Sequence, residues 1–440
     1  MQYIFLLFFI LIPCISIAED LHTLTLDKAK ELALKNNPDI KALQMSKEVS
    51  TEDVNIAKAG VLPKINLSET FDTTNSPSMV FTHKLNQQQF TQKDFDINSL
   101  NNPDSRSNWN TKLSVTQPVF NAGREFININ IAKEHERINE NALKLGTNQI
   151  IYSVESSFYL ALLTKDAINV LETAKNASKL SEEISIKRNE KGVALKSDVL
   201  TTQVHLAQVE KELIKATNDH NIALSYLNYI MGMEQDSSFI IQYNDEEMLP
   251  ICKKLDECMQ IAKNARPEIS IKNSQKEIAH QKKRESRFDY LPDLNVVGSY
   301  DLHSQNPISS DGNSWDLMVT SSFNIFSGGS TKAKIKSATA NERKREYELK
   351  SQVEKIKLEI KEALYDIDTA KRHIEVMEKT ILQTDETHRI IRERYNNGLS
   401  LMVELISSET TMKDANLNYI KAVYDYRLAL LKLKLMTGNI

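Results

Sequence analysis

The chain is written twice, and that repeat limits what it can fold into more than any single motif does. Asn37-Pro38-Asp39-Ile40 matches Arg266-Pro267-Glu268-Ile269 at an offset of 229 residues, and Leu62-Pro63 matches Leu291-Pro292 at the same offset. Further on, the offset drops to 206 and holds: Trp109 with Trp315, Phe120 with Phe326, Gly123 with Gly329, Gly192 with Gly398, Gly232 with Gly438. The difference of 23 residues gives the first copy a longer loop between Leu62-Pro63 and Trp109. Landmarks held in register over more than 120 residues signal one structural unit used twice.

Each copy reads as helix, strand, loop, strand, long helix, turn, helix. The first repeat spans 19–232, with strands at about 63–73 and 108–121, a long helix at about 124–190 and a return helix at about 195–231. A linker at 233–257 leads to the second repeat, 258–440, with strands at about 292–303 and 314–327, a long helix at about 331–395 and a return helix at about 401–437. The fold class is mainly α with a small β part. Only 11 Gly and 10 Pro in 440 residues leave few helix breakers, as long helices require.

The strands alternate. In the first copy Trp109, Thr111, Leu113, Val115, Gln117 and Val119 face one way, and Asn108, Asn110, Lys112, Ser114 and Thr116 the other. The second copy repeats this with Trp315, Leu317, Val319, Phe323 and Ile325. Alternation means one apolar and one polar face. Two readings stay open: a sheet half-buried on a soluble core, or an apolar face on lipid and a polar face on a water-filled lumen. In the second reading Trp109, Trp315 and Phe323 are membrane-interface aromatics. Four strands cannot close a barrel, whose smallest form has about eight, so open edges would need further copies of the chain.

The long helices carry a heptad seam. Leu349, Val353, Ile356, Ile360, Ala363, Ile367, Ala370, Ile374, Met377 and Ile381 recur four and three residues apart. At 1.5 Å per residue, a helix of about 65 residues is roughly 100 Å long. Each ends at a glycine turn, Arg188-Asn189-Glu190-Lys191-Gly192 and Arg394-Tyr395-Asn396-Asn397-Gly398, and a helix then returns.

Residues 1–18 read as a secretory signal: Leu6 to Ile12 is unbroken apolar sequence, and Ser16-Ile17-Ala18 offers small residues at a cleavage site. Cleavage before Cys14, as in a lipoprotein, fits poorly because Ile12-Pro13 precedes it. Cys252 and Cys258, the remaining cysteines, suit either a local disulfide or two free thiols. Beyond residue 20 no apolar run reaches the length of a membrane helix, so a bilayer crossing would require a closed barrel.

Chemistry is missing. A formal net charge of -4 with no basic face excludes an obvious nucleic-acid partner. No phosphate-binding glycine loop, nucleophile elbow or metal-ligand spacing occurs, so the chain reads as a non-enzyme without cofactor. Glu134-His135-Glu136 places its members on different helix faces and reads as solvated charge, and His388 falls on the heptad seam.

The ordered, doubled set of motifs resembles the TolC-type outer-membrane factor family. It is carried by Leu-Pro before the first strand of each copy, by Thr116-Gln117-Pro118-Val119-Phe120-Asn121-Ala122-Gly123 with its echo Phe323-Asn324-Ile325-Phe326-Ser327-Gly328-Gly329, and by the turns Gly192–Leu200 and Gly398–Ile406. The resemblance implies a homotrimer with a twelve-stranded β-barrel in outer-membrane lipid and an α-helical periplasmic tunnel. It implies an exit duct for an efflux pump or type I secretion system. A periplasmic adaptor (membrane fusion) protein and an inner-membrane pump of RND, ABC or MFS type would dock at the helix-turn tips: Arg188, Gly192, Val193, Arg394, Gly398 and Leu399. It also implies a periplasmic gate at Asp198 and Glu404. The chain departs from the family at Ser407, where a second gate acid is expected, and at Ser400, where some members carry a latching Arg; Arg394, Lys196 and Lys191 are candidate replacements. An exported coiled-coil stalk or adhesin without channel activity is the alternative. The polar loop from about Thr74 to Ser107 would lie at the barrel's outer rim, narrowing the mouth or covering it.

Overall fold

Four strands drawn from both copies lie side by side in one antiparallel sheet. The computed structural model describes residues 23–237, 239–243 and 250–440; the signal-peptide reading for 1–18 and Cys14 lie outside them. The elements run β1 (Thr23–Leu24), α1 (Leu26–Asn36), α2 (Pro38–Ala59), β2 (Lys64–Thr74), α3 (Pro77–Asn86), α4 (Ile97–Asn101), β3 (Arg106–Phe120), α5 (Arg124–Glu190) and α6 (Lys196–Met231). The second copy continues with β4 (Ile240–Ile241), α7 (Leu255–Ala265), α8 (Pro267–Glu285), β5 (Asp293–Ser304), β6 (Gly312–Ser322), α9 (Ser330–Asn396) and α10 (Met402–Thr437).

The chain divides into two units. One comprises Ala42–Leu145 and Arg266–Ile356 and holds the sheet, in the order β2-β3-β5-β6. Its register sorts the side chains into rows. Leu67, Leu113, Tyr300 and Trp315 are directly opposed across all four strands, and so are Ile65, Val115, Gly298 and Leu317. Opposed residues share a face, so these rows make an apolar surface. The intervening rows, Ser68-Lys112-Asp301-Ser314 and Asn66-Ser114-Ser299-Asp316, make the polar one. Lys112 and Asp301 form an ion pair of 3.4 Å on it.

Strand β6 stops earlier than the alternation suggested. Its last ladder pair is Asp293↔Ser322, so Phe323 and Ile325 lie beyond the strand. The cause sits on the partner: Pro292 has no N–H with which to extend the ladder. Phe323 is nevertheless exposed. The first-copy loop is not irregular either, since it contains α3, a 3-10 turn at Gln92–Phe95 and α4.

The other unit comprises Met1–Lys41, Gly146–Ala265 and Lys357–Ile440. Its core gathers Ala29 and Ala33 of α1, Val154, Phe158 and Leu162 of α5, Ala223, Leu227 and Met231 of α6, and Tyr424 and Leu431 of α10. The linker is not a passive spacer. Its Ile240–Ile241 pairs in parallel with Thr23–Leu24, Tyr243 meets Tyr159 edge-on at 5.7 Å, and Arg427 lies 5.0 Å from the Tyr243 ring. Cys252 and Cys258 are joined in a disulfide with Cα atoms 5.5 Å apart, which decides between the two readings left open by their spacing. Asn37 caps α2, accepting from the Asp39 N–H at 2.8 Å, and its amide donates to the Ile230 carbonyl at 2.8 Å. The first helix of the copy is thereby tied to the end of its last.

Candidate functional site

The candidate residues fall into two groups, one at the helical turns and one on the sheet. At the turns, Gly192 (φ 73°) and Gly398 (φ 75°) take the left-handed conformation that lets each long helix stop and the chain reverse. Val193 N–H donates to the Arg188 carbonyl at 2.9 Å, and Leu399 N–H to the Arg394 carbonyl at 2.8 Å, so both turns close with the same bond. The Arg394 guanidinium donates to the Leu399 carbonyl at 3.2 Å and secures its own turn.

Arg188 acts across copies. Its guanidinium donates to the Tyr395 carbonyl at 2.8 Å and lies 4.7 Å from the Tyr395 ring centre. Tyr395 is buried with Met402 and Leu405 against Ile184, Ile391 and Ile406. The two hairpins are therefore fastened near their turns by one cation, a buried phenol and an apolar cluster. This tie joins residues 207 apart in sequence. Burial raises the Tyr395 phenol above its ordinary range, so the ring is neutral and stacks as a neutral π-face. None of the three basic residues offered by the sequence as a replacement latch makes this contact; Arg188 does.

Beside exposed polar residues such as Lys191, Lys196, Asn396 and Asn397, the turns leave large apolar side chains in solvent. Val193 is 65% and Leu399 is 69% exposed, followed two residues on by Leu195 (70%) and Leu401 (67%). These four sit at equivalent places in the two copies and contribute to no core.

Asp198 and Glu404 stand six residues past the turn glycines, in the first turns of α6 and α10. Leu195 N–H donates to the Asp198 carboxylate at 3.3 Å, and Leu401 N–H to that of Glu404 at 3.3 Å. The Ser400 hydroxyl also donates to Glu404. That bond, with the Leu401 N–H, holds the Glu404 carboxyl below its ordinary range. Within the protomer, each acid therefore accepts from the N-cap N–H that begins its helix.

Above the turns the same helical unit buries polar groups that periodicity did not single out. Ser181 donates to Glu409 at 2.6 Å, His205 approaches the other Glu409 oxygen at 3.5 Å, and Lys413 pairs with Glu212 at 2.5 Å. His388, on the seam, bonds to the Ser408 hydroxyl at 3.1 Å, and burial lowers its imidazole from the ordinary histidine range. In the sheet unit Glu134 pairs with Arg137, a local ion pair. No cluster of three or more potential metal ligands occurs among the described residues.

On the sheet, Trp109 and Trp315 both belong to the apolar face. Trp109 packs on Phe71 with ring centres 4.7 Å apart, and Trp315, opposite Tyr300, is 73% exposed. No helix among the described residues is long and apolar enough to cross a membrane. The two-faced sheet is the element with the chemistry for lipid on one side and water on the other.

Known proteins share this arrangement. The chain is 21% identical over 428 residues to the alkaline protease secretion protein AprF of Pseudomonas aeruginosa, covering 96% of this chain and 85% of that protein. It is 16% identical over 414 residues to the outer membrane protein TolC of Vibrio cholerae, covering 93% and 89%. Its fold superposes on the CmeC outer membrane channel of Campylobacter jejuni with a TM-score of 0.79 at 15% identity, covering 94% of this chain and 85% of that one. The coiled-coil stalk, open on sequence grounds, falls with these matches. Residues 30–233 and 259–439 match the outer membrane efflux protein family, and the chain belongs to it as a TolC-type channel protein of the outer membrane.

Proposed function

We propose that three copies of this chain close their sheets into one twelve-stranded barrel and their helices into a periplasmic duct, the passive exit of a pump. The observation that carries this is the sheet itself. It has four strands, two unpaired edges in β2 and β6, and both edge strands exposed along nearly their whole length. An isolated sheet with such edges and an apolar face is unstable in water and in lipid alike; closure with further copies pairs every edge. Two copies would give a barrel filled by side chains, whereas three leave a bore. In this assembly Trp109, Trp315 and Phe323 sit at the membrane interface, where aromatic rings are favoured.

The exposed apolar turn residues then form the inner end, where a periplasmic adaptor docks and an inner-membrane pump supplies energy. Likeness to a protease secretion protein supports protein export as the first cargo class to test. Threefold symmetry turns Asp198 and Glu404 into a ring of carboxylates at the narrow end, which favours cations.

The mass of the complex extracted in detergent from outer membranes tests the closure. Three chains per particle are expected; a detergent-free soluble monomer or dimer would sink the barrel. The ring is tested separately. Asp198→Asn combined with Glu404→Gln should lower the cation-to-anion permeability ratio of the channel in planar bilayers toward that of a neutral pore. The Glu404 carboxyl, held below its ordinary range, should keep its share of selectivity at mildly acid pH. Unchanged reversal potentials would remove both residues from the gate.

A further inference from the structure

The loop that only the first copy possesses is a folded insert docked on one face of the sheet. Phe81, Phe90 and Phe95 form a partly exposed aromatic cluster, with ring centres 4.7 and 5.1 Å apart. Lys84 pairs with Asp94 at 2.6 Å, and the Lys84 ammonium, with the Thr91 N–H and hydroxyl, holds the Asp94 carboxyl at about 2. The insert is therefore built to keep a shape.

Its anchors all lie on the polar face. His83, 4% exposed, approaches Asp72 at 3.1 Å. Gln87, fully buried, donates to the Asn108 side chain and to the Ser107 carbonyl at 3.0 Å each, and accepts from Arg106 at 2.8 Å. Asn108 is shared with His303 at 3.4 Å. At Gly312 the approach is closer still: a Cβ there would lie 2.1 Å from the Asn86 carbonyl oxygen. Asp72, Arg106, Asn108, His303 and Gly312 have the register parity of Lys112 and Asp301, the face opposite Trp315. They also lie at the hairpin end of the strands, away from the joints with α2, α5, α8 and α9.

We propose that residues 75–105 form a size filter seated inside the outer mouth of the duct. This rests on the trimeric barrel proposed above. Twelve strands about 4.8 Å apart and tilted about 40° enclose a backbone circle roughly 24 Å across. A helix with its side chains is about 10–12 Å thick, nearly the radius of that circle. Three inserts docked on the inner wall therefore occupy most of the mouth. Small solutes pass between them; a bulky solute passes only when α3 lifts from the wall. The second copy, whose hairpin spans only residues 305–311, has no counterpart, so the filter is threefold.

The test places one reporter thiol on the lumen face, by Thr320→Cys, in three backgrounds: insert intact, undocked by Gly312→Val, and replaced by a short turn. Among the described residues the two cysteines, Cys252 and Cys258, are paired and do not compete. Intact cells are treated from outside with N-ethylmaleimide or with a long polyethylene-glycol maleimide. Labelling through an opening equilibrium is slowed by the scarcity of the open form, so undocking should speed the large reagent by roughly tenfold or more. The small reagent should react equally in all three. Equal rates for the large reagent with the insert docked and undocked would overturn the filter and leave the barrel standing. Failure of the small reagent in every background would overturn the lumen assignment, and the filter with it. The point variant keeps the test decisive if the shortened chain does not fold.

Discussion

Val193→Asp together with Leu399→Asp is expected to abolish export while leaving the channel folded and in the outer membrane. The turns do not need these side chains. Each is closed by backbone bonds, Val193 N–H to Arg188 and Leu399 N–H to Arg394, and by a glycine at positive φ. Both side chains point into solvent at 65% and 69% exposure, so their loss removes nothing from a core. An apolar pair repeated at equivalent places in both copies, with Leu195 and Leu401 beside it, supplies the apolar area that the buried centre of an interface uses. A carboxylate placed there must be desolvated without a partner, which costs about 2–5 kcal/mol per buried site. Even the lower figure weakens one contact about thirtyfold, and in the proposed trimer symmetry would repeat the loss around the tip. The checks are secretion or dye resistance in a deletion strain, and chemical cross-linking to the adaptor. Full export by the double aspartate variant would show that the tips are not the docking surface. Val193→Leu with Leu399→Met should export normally, because it keeps the surface apolar.

Legibility in the sequence followed the range of the forces involved. The long helices and their turns were readable because a heptad seam and a left-handed glycine are local signals; Ile356, Ile360 and Ala363 of that seam are fully buried. Alternation likewise showed a two-faced sheet. The end of β6 was misplaced past Phe323 because Pro292, on the partner strand, ends the ladder, and a strand's own pattern does not report its neighbour's missing donor. The insert's α3 carried a start signal, Ser76 before Pro77, but its docking depends on Gln87 and Gly312 meeting across 225 residues. Arg188 and Tyr395 meet only because the hairpins pack together. For Asp198 and Glu404, the protomer shows two acids at helix starts; the proposed ring would be a property of three chains together.

The second large effect concerns stability and comes from the same repeat. Gly232 and Gly438 end α6 and α10 at φ 68° and 76°. A Cβ on Gly232 would lie 2.8 Å from the Asn36 carbonyl carbon and oxygen, and one on Gly438 would lie 2.9 Å from the Ala265 carbonyl carbon. The obstructing atoms are backbone, held where α1 meets α2 by the Asn37 bonds and where α7 meets α8 by the following Pro267. Alanine at either site therefore meets two penalties, about 1–2 kcal/mol for the left-handed backbone and a further 1–3 kcal/mol for displacing packed main chain. Gly192 separates the two: it has φ 73° but nothing within 4 Å of its virtual Cβ. Gly192→Ala should cost only the first penalty, and Gly232→Ala or Gly438→Ala both. In detergent, helix melting followed by circular dichroism should fall by roughly 5–10 °C for each of the latter, and by a few degrees for the former. Equal losses at all three sites would mean that backbone conformation alone requires glycine there. A larger loss at Gly232 and Gly438 would show that the duplicated chain uses these glycines to bring the end of each copy's last helix against the end of its first.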